Sequence, residues 1–130
     1  MNNHYDIIII GAGPAGMSAS CLASKYKAKI LVLDTAISPG GQIFRAVETN
    51  QSNHKQKFGT NYLNGIKLVN KFRKCSIDYQ SRAKVWHLSE NGEVHYLKDN
   101  KTHFAKAKHI LITTGAQERP FPVTGWTLNG

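Results

Sequence analysis

Apolar residues fall into near-continuous runs at three places: residues 5 to 10, YDIIII; 29 to 33, KILVL; and 109 to 113, HILIT. Runs without polar alternation predict strands buried on both faces, as in a parallel sheet. GAGPAG follows the first run. Residues 15 to 25, AGMSASCLASK, have mostly small side chains and predict a helix that packs closely on a sheet. Pro14 suits the first helical turn, where a missing N–H is no loss. Strand, turn, helix and second strand make one βαβ unit of the usual size. Further on, Tyr62, Ile66, Val69 and Phe72 recur at helical spacing, with Lys67, Lys71 and Lys74 on the other side. That pattern predicts a helix from Tyr62 to Lys74.

The remaining segments are shorter. Ile77 to Tyr79 and Val85 to Leu88 read as strands. Asn91-Gly92, between VWHLSE and EVHYL, predicts a hairpin, and a second turn at Asp99-Asn100 leads into THFA. Residues 84 to 105 therefore form a small antiparallel meander that interrupts a parallel β/α plan. The segment DTAISPGGQIFR is rich in turn residues and reads as a loop. Residues 50 to 61 are polar and read as an exposed loop or a short helical turn. There is no internal repeat and no low-complexity segment.

The turn after the first strand is Gly11-x-Gly13-x-x-Gly16. Gly11 permits the tight exit from the strand, Gly13 lets backbone approach a pyrophosphate, and Gly16 lets the helix pack on the strand. Free N–H groups and the positive dipole end of the helix favour an anion there. The second strand ends in an acid, Asp34, placed to accept hydrogen bonds from the hydroxyls of an adenosine ribose and to repel a 2′-phosphate. The other reading of Asp34 is a loop cap at a strand end. The other reading of the whole motif is a turn that binds nothing. Glycine spacing does not distinguish FAD from NAD.

Composition narrows the classes. The hydrophobic fraction is 41%, ample for a core in a chain of 130 residues, most simply one domain. The formal charge is +9, but the lysines are scattered. The one cluster, Lys71, Arg73 and Lys74, reads as a solvated helix face, and no aromatic ladder alternates with it, so nucleic acid is not expected as a partner. Cys21 and Cys75 are far apart in sequence, with no CxxC and no Cys/His ligand spacing, so no metal site is expected. Two reduced thiols and the lack of a signal peptide or long apolar span point to the cytoplasm and to no membrane span. His87, His95, His103 and His109 read as surface or cross-strand residues, and Trp86 and Trp126 as packing residues. No hydrolase constellation is present, and no catalytic residue is assigned.

IIIIGAGPAG with the VLDTAISPGGQIFR loop resembles the start of the two-dinucleotide-binding-domain flavoproteins, the pyridine nucleotide-disulfide oxidoreductase-like superfamily. LITTGAQERPFP resembles their second signature, with Thr113 where alanine is usual. GGQIFRA, FGTNYLNGIKLV, IDYQSRAKVWHL and TTGAQERPFPVTGWTL are most similar to the FAD subunits of opine and amine dehydrogenases and of hydrogen cyanide synthase. Ser81-Arg82 departs from the Pro-Gly pair common there. The resemblance spans essentially the whole chain.

It implies a Rossmann-like α/β fold and FAD as the cofactor. Gly11, Gly13, Pro14, Ala15 and Gly16 would cradle the pyrophosphate, and Asp34 would hold the ribose. Gly41 and Gln42 would approach the FAD, with Gln42 nearest the flavin. The backbone of Val85 would meet the adenine, and Thr114 and Gly115 would close the pocket. Arg45 either neutralises a phosphate or is a surface arginine. No paired cysteines follow Gly40-Gly41, which excludes disulfide-reductase chemistry of that kind.

The resembling proteins are several times longer. Residues 1–130 would thus be the N-terminal portion of an FAD-binding domain, without the second nucleotide domain and the returning segment, and inactive alone. The implied function is the FAD-binding portion of an oxidoreductase acting on C–N bonds of amino acids or opines. The alternative is a non-catalytic dinucleotide- or ADP-binding module. Expected partners are FAD, a second oxidoreductase subunit or the remainder of the protein, and further copies of the chain, because an uncovered apolar face and an unpaired sheet edge invite self-association.

Overall fold

The structure is a computed structural model that describes residues 3–48, 59–117 and 123–125. The strands are β1 (His4–Ile10), β2 (Ile30–Leu33), β3 (Asp78–Gln80), β4 (Lys84–Leu88), β5 (Glu93–Lys98) and β6 (Lys101–Ile112). The helices are α1 (Pro14–Ala23), extended by a 3-10 turn at Ser24–Tyr26, and α2 (Gly59–Lys74). All six strands join one sheet in the order β3-β2-β1-β6-β5-β4. β1 pairs in parallel with β2 and with β6, and β2 in parallel with β3. β4, β5 and β6 are antiparallel neighbours.

The alternation of β1 and β2 side chains divides the core in two. Ile9, Ile30 and Val32 face α1 and α2, where Met17, Cys21, Val69 and Phe72 are buried against them. Ile8, Ile10, Leu31 and Leu33 face the other way and pack on Ala83, Val94, Ala105 and Ala107 of the meander. The meander is held across that face by polar contacts as well. Lys98 Nζ donates to Gln80 Oε1 at 2.5 Å, and the Ala83 N–H donates to the Asp34 carbonyl at 2.8 Å. Continuous apolar runs in β1 and β2 are thus explained by layers on both sides.

Several boundaries and placements differ from the sequence reading. The first helix starts at Pro14 and gives way at Ser24, where the chain tightens and leaves through Lys27 in the left-handed region (φ 57°). Gly59, Thr60 and Asn61 open α2, which agrees with the helical-turn alternative for that segment, while 50–58 lie outside the described residues. The meander and the last strand are not separate. β6 is a single strand whose first half pairs with β5 and whose second half pairs with β1. The hairpin at Asn91-Gly92 is present, but Ser89 and Glu93 close a wider turn, with the Ser89 N–H donating to the Glu93 carbonyl at 2.9 Å. The turn at Asp99-Asn100 is the tighter one, with φ 49° and 59°, as a two-residue hairpin of the mirror-image type requires.

The run at 109 to 113 is not buried as expected. Leu111 is 40% and Ile112 60% exposed. α1 and α2 lie over the β1–β2–β3 side, so the helical face of β6 is uncovered by any described element. Trp86 is not a packing residue either. It is 59% exposed on β4, beside His87 and His95. Trp126 lies outside the described residues. The four histidines do lie on strands, and Lys71, Arg73 and Lys74 are exposed on α2 as expected. Arg73 is nevertheless paired, its Nε 3.0 Å from Glu48 Oε1.

Candidate functional site: a glycine turn at the head of the sheet

Four separate segments converge at the C-terminal ends of the parallel strands. The first is the turn itself. The Gly11 N–H donates to the Leu33 carbonyl at 2.8 Å, and the Met17 N–H donates to the Gly13 carbonyl at 2.9 Å as the first helical bond. Gly13 is extended (φ −74°, ψ −175°), and no side chain caps α1. Pro14 has no N–H, so Ala15 and Gly16 carry the first helical donors at that end. No acidic side chain sits in the first turn to compete for an anion.

The second segment is Asp34. Its Oδ2 accepts from the Ala12 N–H and its Oδ1 from the Ala36 N–H at 2.7 Å. The loop-capping role is therefore real. It does not exclude the ribose, because each carboxylate oxygen keeps a second acceptor position. The two amide bonds fix the carboxylate beside the turn.

The third segment is Gly40-Gly41. The Gly40 N–H donates to the Ala12 carbonyl at 2.9 Å. A Cβ on Gly41 would stand 3.0 Å from the Gly13 Cα, and one on Gly13 would stand 3.8 Å from the Gly41 Cα. The two glycine backbones thus pack directly on each other, with no side chain standing over the turn.

The fourth is Thr113, which sequence reading noted only as a departure from alanine. Its N–H donates to the Ile10 carbonyl at 2.8 Å, and its Oγ1 lies 2.9 Å from the Gly11 carbonyl. A Cβ on Gly16 would come within 1.9 Å of the Gly11 oxygen and 2.8 Å of Thr113 Oγ1. Gly16 is therefore demanded by helix–strand contact, as the motif predicts. The only signal for Thr113 was its place at the end of a buried run, where the hydroxyl can reach the turn.

The other expected residues are less closely gathered. Thr114 and Gly115 follow Thr113 and are exposed, with Gly115 at φ 70° and open space around it. Gln42 and Arg45 are exposed in the turn after Gly41. The Arg45 carbonyl accepts from the Tyr62 hydroxyl at 2.6 Å. Val85 is part-buried on β4, two residues from the Ala83–Asp34 bond. Nearby, burial first and then the Asp34 charge push the Tyr79 phenol up to about 12.

Concavity alone would not find this place. Two open clefts of about 600 Å³ each are lined by Tyr5 and its neighbours at the opposite end of the sheet. The C-terminal ends of parallel strands are where open α/β sheets bind ligands. Among the described residues no group of His, Cys, Asp or Glu could hold a metal ion, and no helix is long and apolar enough to cross a membrane.

Comparison with known proteins agrees with this geometry. The chain is 40% identical to an opine oxidase subunit from Rhizobium meliloti, over 98% of this chain and 26% of that protein. It is 29% identical to hydrogen cyanide synthase subunit HcnB of Pseudomonas aeruginosa, over 95% of this chain and 27% of the relative. The chain thus spans about a quarter of the length of these relatives. Thioredoxin reductase from Streptococcus pyogenes shares the fold with a TM-score of 0.62 at 24% identity, over 95% of this chain and 39% of that one. L-proline dehydrogenase from P. horikoshii does so with a TM-score of 0.67 at 18% identity, over 86% and 22%. The uncapped helix, the absence of side chains where Gly13 meets Gly41, and the fixed Asp34 fit the ADP portion of FAD. Residues 5–130 match the pyridine nucleotide-disulphide oxidoreductase family, and the chain belongs to it as an FAD-binding module.

Proposed function

We propose that the chain is the FAD-binding portion of an FAD-dependent oxidoreductase acting on C–N bonds of amino acids or opines. The observation that carries this reading is the likeness to the opine oxidase subunit over 98% of the chain, together with a glycine turn whose geometry suits a dinucleotide. FAD, when bound, supplies the redox chemistry. The chain supplies position and electrostatics. The Ala15 and Gly16 amides hold the pyrophosphate, Asp34 the ribose, Gly41 and Gln42 the approach to the flavin side, and Val85 the adenine. Thr114 and Gly115 close the pocket. Arg45, exposed in its turn, is available to a phosphate. The reading includes a second oxidoreductase subunit or further chain as partner, self-association of this chain, and a cytoplasmic location.

A second reading is a dinucleotide- or ADP-binding module without catalysis. It is favoured by one observation: the groups gathered at the turn, the uncapped start of α1 and the carboxylate of Asp34, suit a phosphate and a ribose. The visible spectrum separates the two. Protein mixed with FAD and desalted shows flavin bands under both readings. Bleaching by an opine or amino acid, once the chain is joined by the remainder of the oxidoreductase, supports the first alone, and bands that persist in that assembly support the second.

The ribose assignment has its own test. Asp34→Ala is expected to weaken ADP binding by about 1–3 kcal/mol, the cost of a lost charge-assisted hydrogen bond. ADP carrying a 2′-phosphate should bind wild type more weakly than ADP does. Calorimetry on folded variant protein reads both, and unchanged ADP affinity removes Asp34 from the site.

A further inference from the structure

Cys21 and Cys75 are distant in sequence yet adjacent in space. Their Sγ atoms lie 3.2 Å apart with no bond between them. That is about 1 Å more than a bonded pair, a gap that side-chain rotation can close. Cys21 is buried in the last turn of α1, and Cys75 is the first residue after α2. No third ligand accompanies them among the described residues, so the pair is not a metal site. They are also not the paired cysteines of a disulfide reductase, since neither lies in the Gly40-Gly41 segment.

The two thiols differ in the way a reactive pair needs. Cys21 is pushed up to about 11, by burial first and then by Cys75, and remains a thiol at neutral pH. Cys75 is partly exposed, with its Sγ also 3.2 Å from the Lys71 carbonyl. Lys71 and Lys25 place positive charge around the pair. Access belongs to Cys75, and a resolving partner stands behind it. Reactive, redox-sensing cysteines are commonly exposed thiols with a second thiol in reach.

We propose that Cys21 and Cys75 form a reversible intramolecular disulfide under peroxide, tying the cradle helix α1 to the end of α2. The thiolate of Cys75 attacks the O–O bond of hydrogen peroxide. This gives a sulfenic acid and hydroxide, which takes up a proton to leave as water. Cys21 Sγ then attacks the Cys75 sulfur, the S–O bond breaks, and the Cys21 proton leaves with the hydroxide as a second water. Two thiols and one peroxide become one disulfide and two waters. A dithiol reductant reverses the change.

The test uses the purified 130-residue chain, reduced and then treated with a small excess of hydrogen peroxide. Both thiols should disappear together in a denaturing thiol assay. The intact mass should fall by two hydrogens, and a non-reducing digest should give a Cys21–Cys75 linked peptide. The melting temperature should rise by roughly 5 °C or more, as expected for a crosslink closing a long loop, and dithiothreitol should restore every value. In Cys21→Ser the same treatment should add oxygen at Cys75 without a rise in melting temperature. Chains linked to each other, a persisting thiol, or oxygen added to wild-type Cys75 would each overturn the proposal.

Discussion

Thr113 and Gly16 are fitted to one another across the Gly11 carbonyl, and this fit makes Thr113 a positioning residue for the turn. Thr113→Val keeps the shape and the backbone N–H but removes the hydroxyl near the Gly11 and Ile10 carbonyls. Denaturant unfolding should show a loss of about 1 kcal/mol, the ordinary worth of one such bond. ADP affinity should fall in the variant and return in Thr113→Ser. Recovery of stability without recovery of affinity would mean that the hydroxyl does not position the turn. Tyr79 gives a second prediction of opposite sign. Its hydroxyl is buried with no hydrogen-bond partner among the described residues. Tyr79→Phe should therefore stabilise the protein by about 1 kcal/mol at neutral pH. The pH dependence follows from a phenol raised from 10 to about 12, chiefly by burial. A folded-state value above the unfolded one means stability that is present below pH 10 and lost as pH rises toward 12. Wild type should lose more stability than Tyr79→Phe across that window. Tyr5, also raised, leaves a remnant of the alkaline loss in the variant.

At the scale of elements, α2 is seated on the segment after Gly41 by a glycine. A Cβ on Gly65 would stand 2.3 Å from Cδ1 and 2.4 Å from Cγ of Phe44. Helix propensity alone says that Gly65→Ala gains up to about 1 kcal/mol. Overpacking against the root of an aromatic ring costs about 1–3 kcal/mol, so the net effect should be destabilising. Phe44→Leu should recover part of the loss in a double-mutant cycle, and additive effects would show that the two residues do not couple. Periodicity made α2 legible from Tyr62 onward, but not its first turn, because Gly59, Thr60 and Asn61 carry no apolar signal. Nor could periodicity show that the meander and the last run are one strand. Lys106 and Lys108 interrupt the apolar pattern of β6, although backbone pairing continues through them. Lys108 pairs with Asp6 at the surface instead. Gly11 and Gly16 were legible in the glycine turn because each answers a local steric demand, whereas a Cβ on Gly13 would make only an ordinary contact with Gly41. Thr113 and the meeting of Cys21 with Cys75 depend on contacts between distant segments, and local spacing carries no record of them.

For the whole molecule, burial is uneven in a way that the apolar runs conceal. Ile9 and Ile10 of β1 are buried, yet their partners across the ladder, Leu111 and Ile112, are exposed. Both helices cover the other flank of the sheet, and the meander turns away before the end of β6. The edge strand β4 adds Trp86 and Leu88 to the exposed apolar surface. Apolar surface of this kind, next to an open edge, favours association despite a net charge of +9. The chain should sediment as a self-associating species at micromolar concentration. Ile112→Lys is expected to raise the dissociation constant at least about tenfold, since burying one isoleucine is worth about 1.5–3 kcal/mol and a tenfold change needs about 1.4. Because Ile112 is 60% exposed, the substitution should leave the melting temperature nearly unchanged, separating lost association from lost folding. A wild-type chain that sediments as a clean monomer would remove self-association from the reading. Equal association of wild type and Ile112→Lys would move it away from the end of β6, toward the β4 edge.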